Sequence, residues 1–98
     1  MPVFTQEEVS QPPKVAVIIP AYKAEDSLEK VLAAIPDWIG CIIVVNDQSP
    51  DRTGEVDARA AAADARVVVV HHQTNQGVGG AMLSGYQKAR ELGMQVAV

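Results

Sequence analysis

The sequence predicts an α/β protein built on a Rossmann-like, mostly parallel sheet of three to four strands with flanking helices. Three short runs rich in β-branched residues, at 15–19, 42–45 and 67–70, are apolar throughout, as strands buried on both faces are. A fourth strand is expected to begin near Val96, so strand starts recur every 25 to 29 residues, the length of a βαβ unit. Helical patterns fill the intervals, and the sheet is therefore expected to be covered by helices.

The composition divides the 98 residues into a short leader and one domain. Residues 1–13 are polar and end in two prolines, so we expect a disordered leader that is neither a signal peptide nor a membrane span. Residues 14–98 are expected to form a single domain, since 48% hydrophobic residues can build one modest core. The fourth strand has only begun at Val98, so the domain is expected to be truncated there.

Three helices are predicted between the strands. The first ends before Pro36 and places an apolar stripe against the sheet: Leu28, Val31, Leu32 and Ile35. The second begins with Ser49 as its N-cap and Pro50 as its first residue, and its apolar face is thin: Val56, Ala60 and Ala63. The third follows a glycine-rich turn, carries small residues that allow a close approach to the sheet, and ends at Gly93.

Composition also excludes one class of partner and favours one compartment. The net charge of −4, the pI near 4.9 and the scattering of the 8 Lys and Arg residues argue against nucleic-acid binding, which needs clustered positive charge. Cys41 is the only cysteine, so no intramolecular disulfide and no cysteine-cluster metal site can form. The default expectation is a cytoplasmic protein.

Polar residues follow the first two predicted strands, at the edge where open parallel sheets bind ligands. Tyr22 offers a flat face for a nucleobase, next to Pro20, which cannot donate to a strand ladder. A strand-ending proline beside a surface tyrosine is an equally open interpretation. After the second strand, the carboxylate of Asp47 can accept the N–H groups of uracil or guanine. Alternatively, Asp47 only organises the turn before Ser49.

A glycine-rich turn follows the third strand and enters the third helix. Free N–H groups and the positive helix end near Gly77, Gly79 and Gly80 suit phosphate or ribose oxygens. The turn lacks Gly-Lys-Ser/Thr and departs from the dinucleotide fingerprint, so a P-loop and an NAD site are disfavoured. The adjacent His71 and His72 would point to opposite faces of a strand, so we expect structural histidines and not metal ligands.

Three motifs in order resemble those of the family 2 glycosyltransferases, which have the GT-A fold. They are Val-Ile-Ile-Pro-Ala-Tyr-Lys-Ala-Glu-Asp-Ser-Leu at 17–28, Val-Val-Asn-Asp-Gln-Ser-Pro-Asp-Arg-Thr at 44–53 and Asn-Gln-Gly-Val-Gly-Gly-Ala at 75–81. The resemblance covers roughly residues 14–98 and is nearest to the polyprenyl-phosphate glycosyltransferases, which are similar to dolichyl-phosphate mannose synthase. It implies that the domain is the N-terminal, nucleotide-binding half of a GT-A fold.

The resemblance also implies a substrate class and a set of nucleotide-binding residues. An inverting transferase would take a sugar from a UDP- or GDP-sugar and pass it to an acceptor such as a polyprenyl phosphate, at the cytoplasmic membrane face. Many relatives carry a second aspartate at the position of Asn46, which is therefore assigned no role. The residues implied to bind the nucleotide are Pro20, Ala21, Tyr22 and Glu25 around the base, Asp47 on the base, and Gly77, Gly79 and Gly80 near the ribose and phosphates.

The family's Asp-x-Asp motif, which holds a divalent Mg or Mn ion, and its carboxylate base do not occur in the sequence. We therefore expect no catalytic residue, no metal site and no sugar transfer in this chain alone. A homodimer through the exposed sheet edge is also expected. The alternative functions are a catalytically silent nucleotide-binding or regulatory module and a purely structural α/β domain.

Overall fold

The fold is a four-stranded parallel sheet with helices on both faces, seen in a computed structural model that describes residues 14–98. The leader expected at 1–13 lies outside the described residues. The elements in chain order are β1 (Val15–Ala21), α1 (Leu28–Ala33), β2 (Cys41–Asn46), α2 (Thr53–Ala63), β3 (Val67–His71), α3 (Gly77–Glu91) and β4 (Val96–Ala97). The strand order is β3-β2-β1-β4, and every pair is parallel. No helix in the described part of the chain is long and apolar enough to cross a membrane.

The most buried strand is β2. All of its residues are buried, because β1 and β3 flank it and helices cover both faces. Burial of Cys41 at the start of the strand raises the pKa of its thiol. β1 lies alongside with Ile18 opposite Ile43, whereas β3, at an edge, is only half-buried. The three apolar runs predicted as strands are confirmed, each extended by one or two residues.

The predicted fourth strand is present as β4, which pairs with the free edge of β1. The N–H of Gln95 donates to the carbonyl of Lys14 at 2.8 Å, and the N–H of Lys14 donates to the side-chain oxygen of Gln95 at 3.0 Å. Val98 continues the ladder by donating its N–H to the carbonyl of Ala16 at 3.0 Å. As a result, β1 is an interior strand, hydrogen-bonded on both sides.

Two hydrophobic cores lie on opposite faces of the sheet. On one face, Leu28 of α1 and Val56 of α2 pack against β1 and β2. On the other face, Ala81 and Ala89 of α3 pack against the same two strands. Because successive residues of β2 alternate between the faces, both sets of side chains must be apolar. This explains why the run shows no polar alternation.

The predicted close approach of the third helix to the sheet is confirmed at Gly85. A Cβ atom there would lie 2.3 Å from Cγ2 of Ile18, a distance that side-chain atoms do not reach. Gly85 is flanked on the same helix face by the buried Ala81 and Ala89. At the other end, Gly93 has φ 73 just after the last helical turn, as a glycine that ends a helix does.

The predicted course of α1 is partly wrong. The helix ends at Ala33, and Val31 is 45% exposed although it was placed in the stripe facing the sheet. Within this helix only Leu28 is buried. The reason is that α1 packs against α2 more than against the strands, so its stripe is only partly covered.

The predicted start of α2 is also wrong. The helix begins at Thr53, so Ser49 is not its N-cap and Pro50 is not its first residue. The carboxylate of Asp51 accepts the N–H of Thr53 at 3.0 Å and so satisfies the first turn. Ser49 bonds a neighbouring loop instead.

Candidate functional site

Three loops meet at the carboxyl edge of the sheet, one after each of β1, β2 and β3. Parallel strands share this edge, and two backbone hydrogen bonds connect the loops directly. The N–H of Asp47 donates to the carbonyl of Ala21 at 3.0 Å, and the N–H of His72 donates to the carbonyl of Asn46 at 2.9 Å. The residues that end the three strands are therefore neighbours in space.

The loop after β1 is held by side chains of the loop between β2 and α2. Three consecutive N–H groups, those of residues 23–25, each donate to one oxygen: Ser49 Oγ at 2.8 Å, Thr53 Oγ1 at 2.9 Å and Asp51 Oδ2 at 3.4 Å. Tyr22, directly before these residues, is 46% exposed. Its ring is thus presented to solvent from a backbone that is fixed on one side.

Asp51 is the centre of this arrangement. Its Oδ1 accepts the hydroxyl groups of Ser49 and Thr53 as well as the N–H of Thr53. Hydrogen bonds from the Ser49 and Thr53 side chains lower the pKa of Asp51 to about 2, because they favour its charged form. Asp51 is therefore an anion at neutral pH, and it orients the loop that carries Tyr22.

The carboxylate of Asp47 is buried at the end of β2 and receives three donors. Oδ1 accepts from Nδ1 of His72 at 2.7 Å and from the N–H of Gln76 at 2.8 Å, and Oδ2 accepts the N–H of Gly77 at 2.8 Å. The bond from His72, followed by the two backbone bonds, lowers the pKa of Asp47 despite its burial. Asp47 thus organises a turn, but that turn is the glycine turn after β3 and not the one before Ser49.

His72 lies between Asp47 and the body of α3. Its side chain is 6% exposed, and its Nε2 lies 2.7 Å from Oγ of Ser84. His71, the last residue of β3, is exposed. The two histidines therefore differ in environment, and the buried one links the end of β2 to α3.

The glycine turn is shaped by its own backbone and by Asp47. Gly77 has φ 76, a conformation that glycine adopts readily, and α3 begins there, so Gly79 and Gly80 lie in its first helical turn. A Cβ atom at Gly80 would lie 2.5 Å from Cβ of Gln76, whereas one at Gly79 would meet open space. The Asp47 carboxylate already occupies the positive end of the helix dipole. An uncharged ribose hydroxyl suits this end better than a second anion.

Asn46, the last residue of β2, connects the strand to α2. Its Nδ2 donates to Oδ2 of the buried Asp57 at 2.9 Å, and its Oδ1 accepts the N–H of Ser49 at 2.9 Å. Oδ1 of Asp57 has no hydrogen-bond partner among residues 14–98. The amide of Asn46 is therefore both a donor and an acceptor at a buried position, which a carboxylate cannot be.

Two surface grooves lie beside these elements. One of about 350 Å³ runs between α1 and α2 toward the start of β3, at the opposite edge of the sheet from the three loops. The other, of about 340 Å³, is lined by Glu25, Arg52, Glu55, Val56 and Arg59. Glu25 thus faces a charged groove along α2, and the lining includes neither Asp47 nor the glycine turn. Glu25 was expected near the base, but the groove that it lines contains none of the other residues expected there.

Residues 14–98 contain no group of three or more His, Cys, Asp or Glu side chains placed to hold a metal ion. The donor set of these residues does not fit the divalent cation that the family resemblance implies.

Sequence reasoning missed the contacts by which five side chains hold the loops together: those of Ser49, which was expected to cap α2, Asp51, Thr53, Asn75 and Ser84. A signal existed for the first three, since an Asp that precedes a Thr by two residues is typical of a side chain that bonds the start of a helix. The bond from Asn75 Nδ2 to the carbonyl of Asp47, at 3.1 Å, spans 28 residues, and no local pattern announces it. The contact between His72 and Ser84, which are 12 residues apart, is likewise not announced by any local pattern.

The fold and this edge define an open α/β binding domain, with polar loops gathered beyond the carboxyl ends of parallel strands. The sequence profile of the family described as Glycosyl transferase family 2 matches residues 16–92. The chain therefore belongs to glycosyltransferase family 2, and the predicted family is confirmed.

Two curated relatives are similar to nearly the whole chain. The undecaprenyl-phosphate mannosyltransferase of Micrococcus luteus is 38% identical over 87 residues, which cover 87% of this chain and 36% of the relative. The UDP-N-acetylglucosamine–dolichyl-phosphate N-acetylglucosaminyltransferase of Methanococcus voltae is 32% identical over 95 residues, covering 84% of this chain and 38% of the relative. The chain thus spans less than two fifths of the length of the curated relatives that it matches.

A solved structure supports the predicted GT-A-type fold. The mannosyltransferase PcManGT from Pyrobaculum calidifontis, in complex with GDP-Man and Mn²⁺, superposes with a TM-score of 0.73 at 24% identity. The superposition covers 82% of this chain and 25% of that one. The four-stranded parallel sheet with its flanking helices is therefore shared with part of a mannosyltransferase.

Proposed function

We propose that this chain forms the nucleotide-binding part of a glycosyltransferase that transfers a sugar from a UDP- or GDP-sugar to an acceptor. The observation that carries the proposal is the convergence, at one sheet edge, of the fixed loop of Tyr22, the buried carboxylate of Asp47 and the glycine turn at Gly77. A flat aromatic face, a carboxylate acceptor and free helical N–H groups are the groups that bind a base and a ribose.

The base lies against the loop after β1 in this proposal. Pro20 and the exposed Tyr22 form the inner wall, and Ala21, which is 1% exposed, contributes only its backbone. Glu25 contributes from the outer side, where it lines the groove along α2. The ammonium of Lys23 lies 5.5 Å from the centre of the Tyr22 ring, an exposed contact worth about 0.5–1 kcal/mol. Stacking of a base on an aromatic ring contributes about 1–3 kcal/mol, so a base can displace Lys23 from the ring.

Asp47 contributes to base recognition with the acceptor capacity that the loop leaves free. A carboxylate has about four acceptor positions, and three are used by His72, Gln76 and Gly77. The remaining position is on Oδ2; because the side chain is only 4% exposed, it can take no more than one N–H of a uracil or guanine. Either base satisfies it, so the proposal covers both UDP and GDP.

The glycine turn contacts the ribose in this proposal. The N–H of Gly77 is already bound to Asp47, while the N–H groups of Val78 and Gly79 belong to the first turn, where helical amides have no partner within the helix. Gly79 has open space around its Cα, and Gly80 keeps the turn tight against Gln76. A hydroxyl can approach these amides closely.

The proposed acceptor is a polyprenyl phosphate. Its support is the names of relatives, which are mannosyl- and N-acetylglucosaminyltransferases of undecaprenyl and dolichyl phosphate. A divalent cation, Mg or Mn, is proposed for the working enzyme, because PcManGT binds Mn²⁺ together with GDP-Man. Since residues 14–98 offer no metal cluster, we propose that residues of a longer polypeptide supply the cation site.

This chain alone transfers no sugar, because its sequence contains no Asp-x-Asp motif, and turnover of GDP-mannose or UDP-N-acetylglucosamine by the isolated chain would refute that. The chain acts in the cytoplasm, which the free thiol of Cys41 fits, and cell fractionation tests this.

The chain pairs with a second copy through β4, where Val96 and Val98 are 44% and 61% exposed. Sedimentation that shows a monomer at every concentration would exclude the pairing.

The test of nucleotide binding is calorimetric titration of UDP and of GDP, each with and without Mn²⁺, into the chain and into two matched variants. Tyr22→Ala removes the proposed stacking face, and Tyr86→Ala removes a tyrosine that is also 46% exposed but lies on α3. We expect Tyr22→Ala to weaken binding by about tenfold, from the loss of about 1–3 kcal/mol of stacking, and Tyr86→Ala to leave it unchanged. Equal effects of the two substitutions, or no binding of either nucleotide, would contradict the proposal.

A further inference from the structure

We infer that His72, braced by Ser84, is a positioning residue that orients the Asp47 carboxylate and through it the glycine turn, and that it thereby sets the affinity for nucleotide. The inference rests on the proposed function for its ligand. Its geometric part concerns the free protein and does not depend on any ligand.

The hydrogen bonds of His72 determine which ring nitrogen carries the proton. An ionised carboxylate only accepts, so Nδ1 must donate to Oδ1 of Asp47 across 2.7 Å. Nε2 then faces the hydroxyl of Ser84 at 2.7 Å, and a hydroxyl can donate to a neutral ring or accept from a charged one. Both contacts are therefore kept in either protonation state of the imidazole. Ser84 makes the brace independent of that state.

The buried imidazole fixes the plane of the carboxylate. Oδ1 of Asp47 is shared by His72 and the N–H of Gln76, and Oδ2 holds the N–H of Gly77. Rotation about the last torsion of an Asp side chain is soft, so an unbraced carboxylate reorients easily. Without the Nδ1 donor, both backbone bonds to the glycine turn lose their fixed acceptors. The first turn of α3 then no longer presents its N–H groups in one arrangement.

The side chain of His72 connects the end of β2 with α3. Asp47 follows β2, whereas Ser84 lies in the interior of α3, and the imidazole that joins them is 6% exposed. Its backbone is also held, since the N–H of His72 donates to the carbonyl of Asn46 at 2.9 Å. His72 is thus fixed at its backbone and at both ring nitrogens. Because His72 is held at these three points, the position of α3 determines where its Nδ1 donor lies relative to Asp47.

The order of atoms, Ser84 Oγ to His72 to Asp47, is also that of a hydrolase triad, but the surroundings favour positioning. Such a triad needs N–H donors aimed at the developing oxyanion. Ser84 lies in mid-helix, where the backbone N–H groups are used in the helix itself.

The test replaces His72 by two amides that each imitate one ring nitrogen. His72→Asn places an amide N–H where Nδ1 was and keeps the donor to Asp47, while it loses Ser84. His72→Gln places its amide near the position of Nε2, keeps Ser84 and loses the donor to Asp47. Two quantities are measured for each: hydrogen exchange of the Gln76 and Gly77 amides in the free protein, and the Kd for GDP and UDP.

We expect only His72→Asn, which keeps the donor to Asp47, to preserve the behaviour of the wild type. The Asn variant should keep slow exchange at Gln76 and Gly77 and a near-native Kd. The Gln variant should exchange these two amides about tenfold faster or more and bind nucleotide about tenfold more weakly, as expected from losing one charge-assisted hydrogen bond. Ser84→Ala, which removes the same brace and leaves the bond to Asp47 in place, should match the Asn variant on both quantities, and it keeps the test valid if a His72 variant fails to fold.

Three results would overturn the inference. Equal effects of the Asn and Gln variants would show a role of His72 in packing only, and so would losses of affinity that follow thermal stability across all variants. Faster exchange in the Gln variant without weaker nucleotide binding would remove the link to affinity. Failure of the proposed function is visible separately, because the wild-type protein would then bind neither nucleotide; the claim on affinity falls with it, while the exchange data still decide the positioning of the turn.

Discussion

The side chain of Asn46 determines which residue can stand opposite it at position 57. Its amide donates to Asp57 and accepts from the N–H of Ser49, and the position is buried. An aspartate here would face the carboxylate of Asp57 with no amide donor between them. The amide at 46 and the carboxylate at 57 are therefore a matched pair.

The first prediction concerns this pair. Asn46→Asp should lower the free energy of unfolding by about 2–4 kcal/mol at neutral pH, because it removes a buried hydrogen bond and brings two carboxylates together. The double variant Asn46→Asp with Asp57→Asn should recover most of the loss, since it restores one donor between the two residues. Urea unfolding of the single and double variants measures both values. Additive losses in the double variant would show that the two residues are not coupled.

The second prediction concerns Asp51 and acid stability. Its pKa is lowered to about 2 in the folded protein, below the unperturbed value of about 3.9. The stability that it contributes is therefore fully present above about pH 4 and is lost as the pH falls toward 2. The difference in stability between the wild type and Asp51→Asn should accordingly shrink over this range.

Urea unfolding at several pH values tests the acid effect, and the difference between the two proteins isolates Asp51. Asp47 and Asp64 also have lowered pKa values and contribute to the slope of both curves. Parallel curves for the wild type and Asp51→Asn between pH 4 and 2 would show that the hydrogen bonds from Ser49 and Thr53 do not favour the charged form of Asp51.

At the scale of elements, the contact between α3 and β1 depends on the absence of one side chain. Gly85→Ala should destabilise the protein by about 1–3 kcal/mol, because the added Cβ overlaps with Ile18, although alanine has the better helix propensity by about 1 kcal/mol. Gly79→Ala is the matched control in the same helix, since its Cβ meets open space, and it should be neutral or stabilising by up to about 1 kcal/mol. Thermal unfolding measures both. Equal effects would mean that helix propensity alone decides.

The elements that periodicity predicts well are those whose burial is symmetric. The apolar run at 42–45 is part of β2, and every residue of that strand is buried, so the pattern and the environment agree. The errors fall where burial is one-sided or where a side chain competes for the backbone. Val31 is exposed because α1 packs mainly against α2 and leaves part of its apolar stripe uncovered, and Ser49 bonds Lys23 instead of capping α2.

The candidate site was predictable in place but not in its contacts. Strand ends and glycines announce the carboxyl edge, which is why Tyr22, Asp47 and Gly77 are found there. The bonds that fix them cross 29 and 30 residues, from Asp47 to Gln76 and Gly77, and their partners are backbone groups that every residue has. No residue type at a given spacing encodes such a bond, so only the fold reveals it.

At the scale of the whole molecule, the strand order predicts where the sheet opens first. β2 has strands on both sides and helices on both faces, whereas β4 is short and lies at an edge. The amides of β2 should exchange with solvent most slowly and those of β4 at least about tenfold faster, since edge strands open without unfolding the core. Hydrogen exchange followed by NMR checks this order. Uniform protection across the sheet would indicate a single opening unit.

The position of β1 inside the sheet affects how the protein is made. β2 and β3 leave the ribosome before β4, which covers the second edge of β1 and follows β3 only after residues 72–95. At about 5–20 residues per second, this interval lasts about one to five seconds. During it the nascent chain exposes the unpaired backbone N–H and C=O groups at the edge of β1, to which a second nascent chain can pair. Slower translation of residues 72–97 should therefore lower the yield of soluble protein without any change in the sequence.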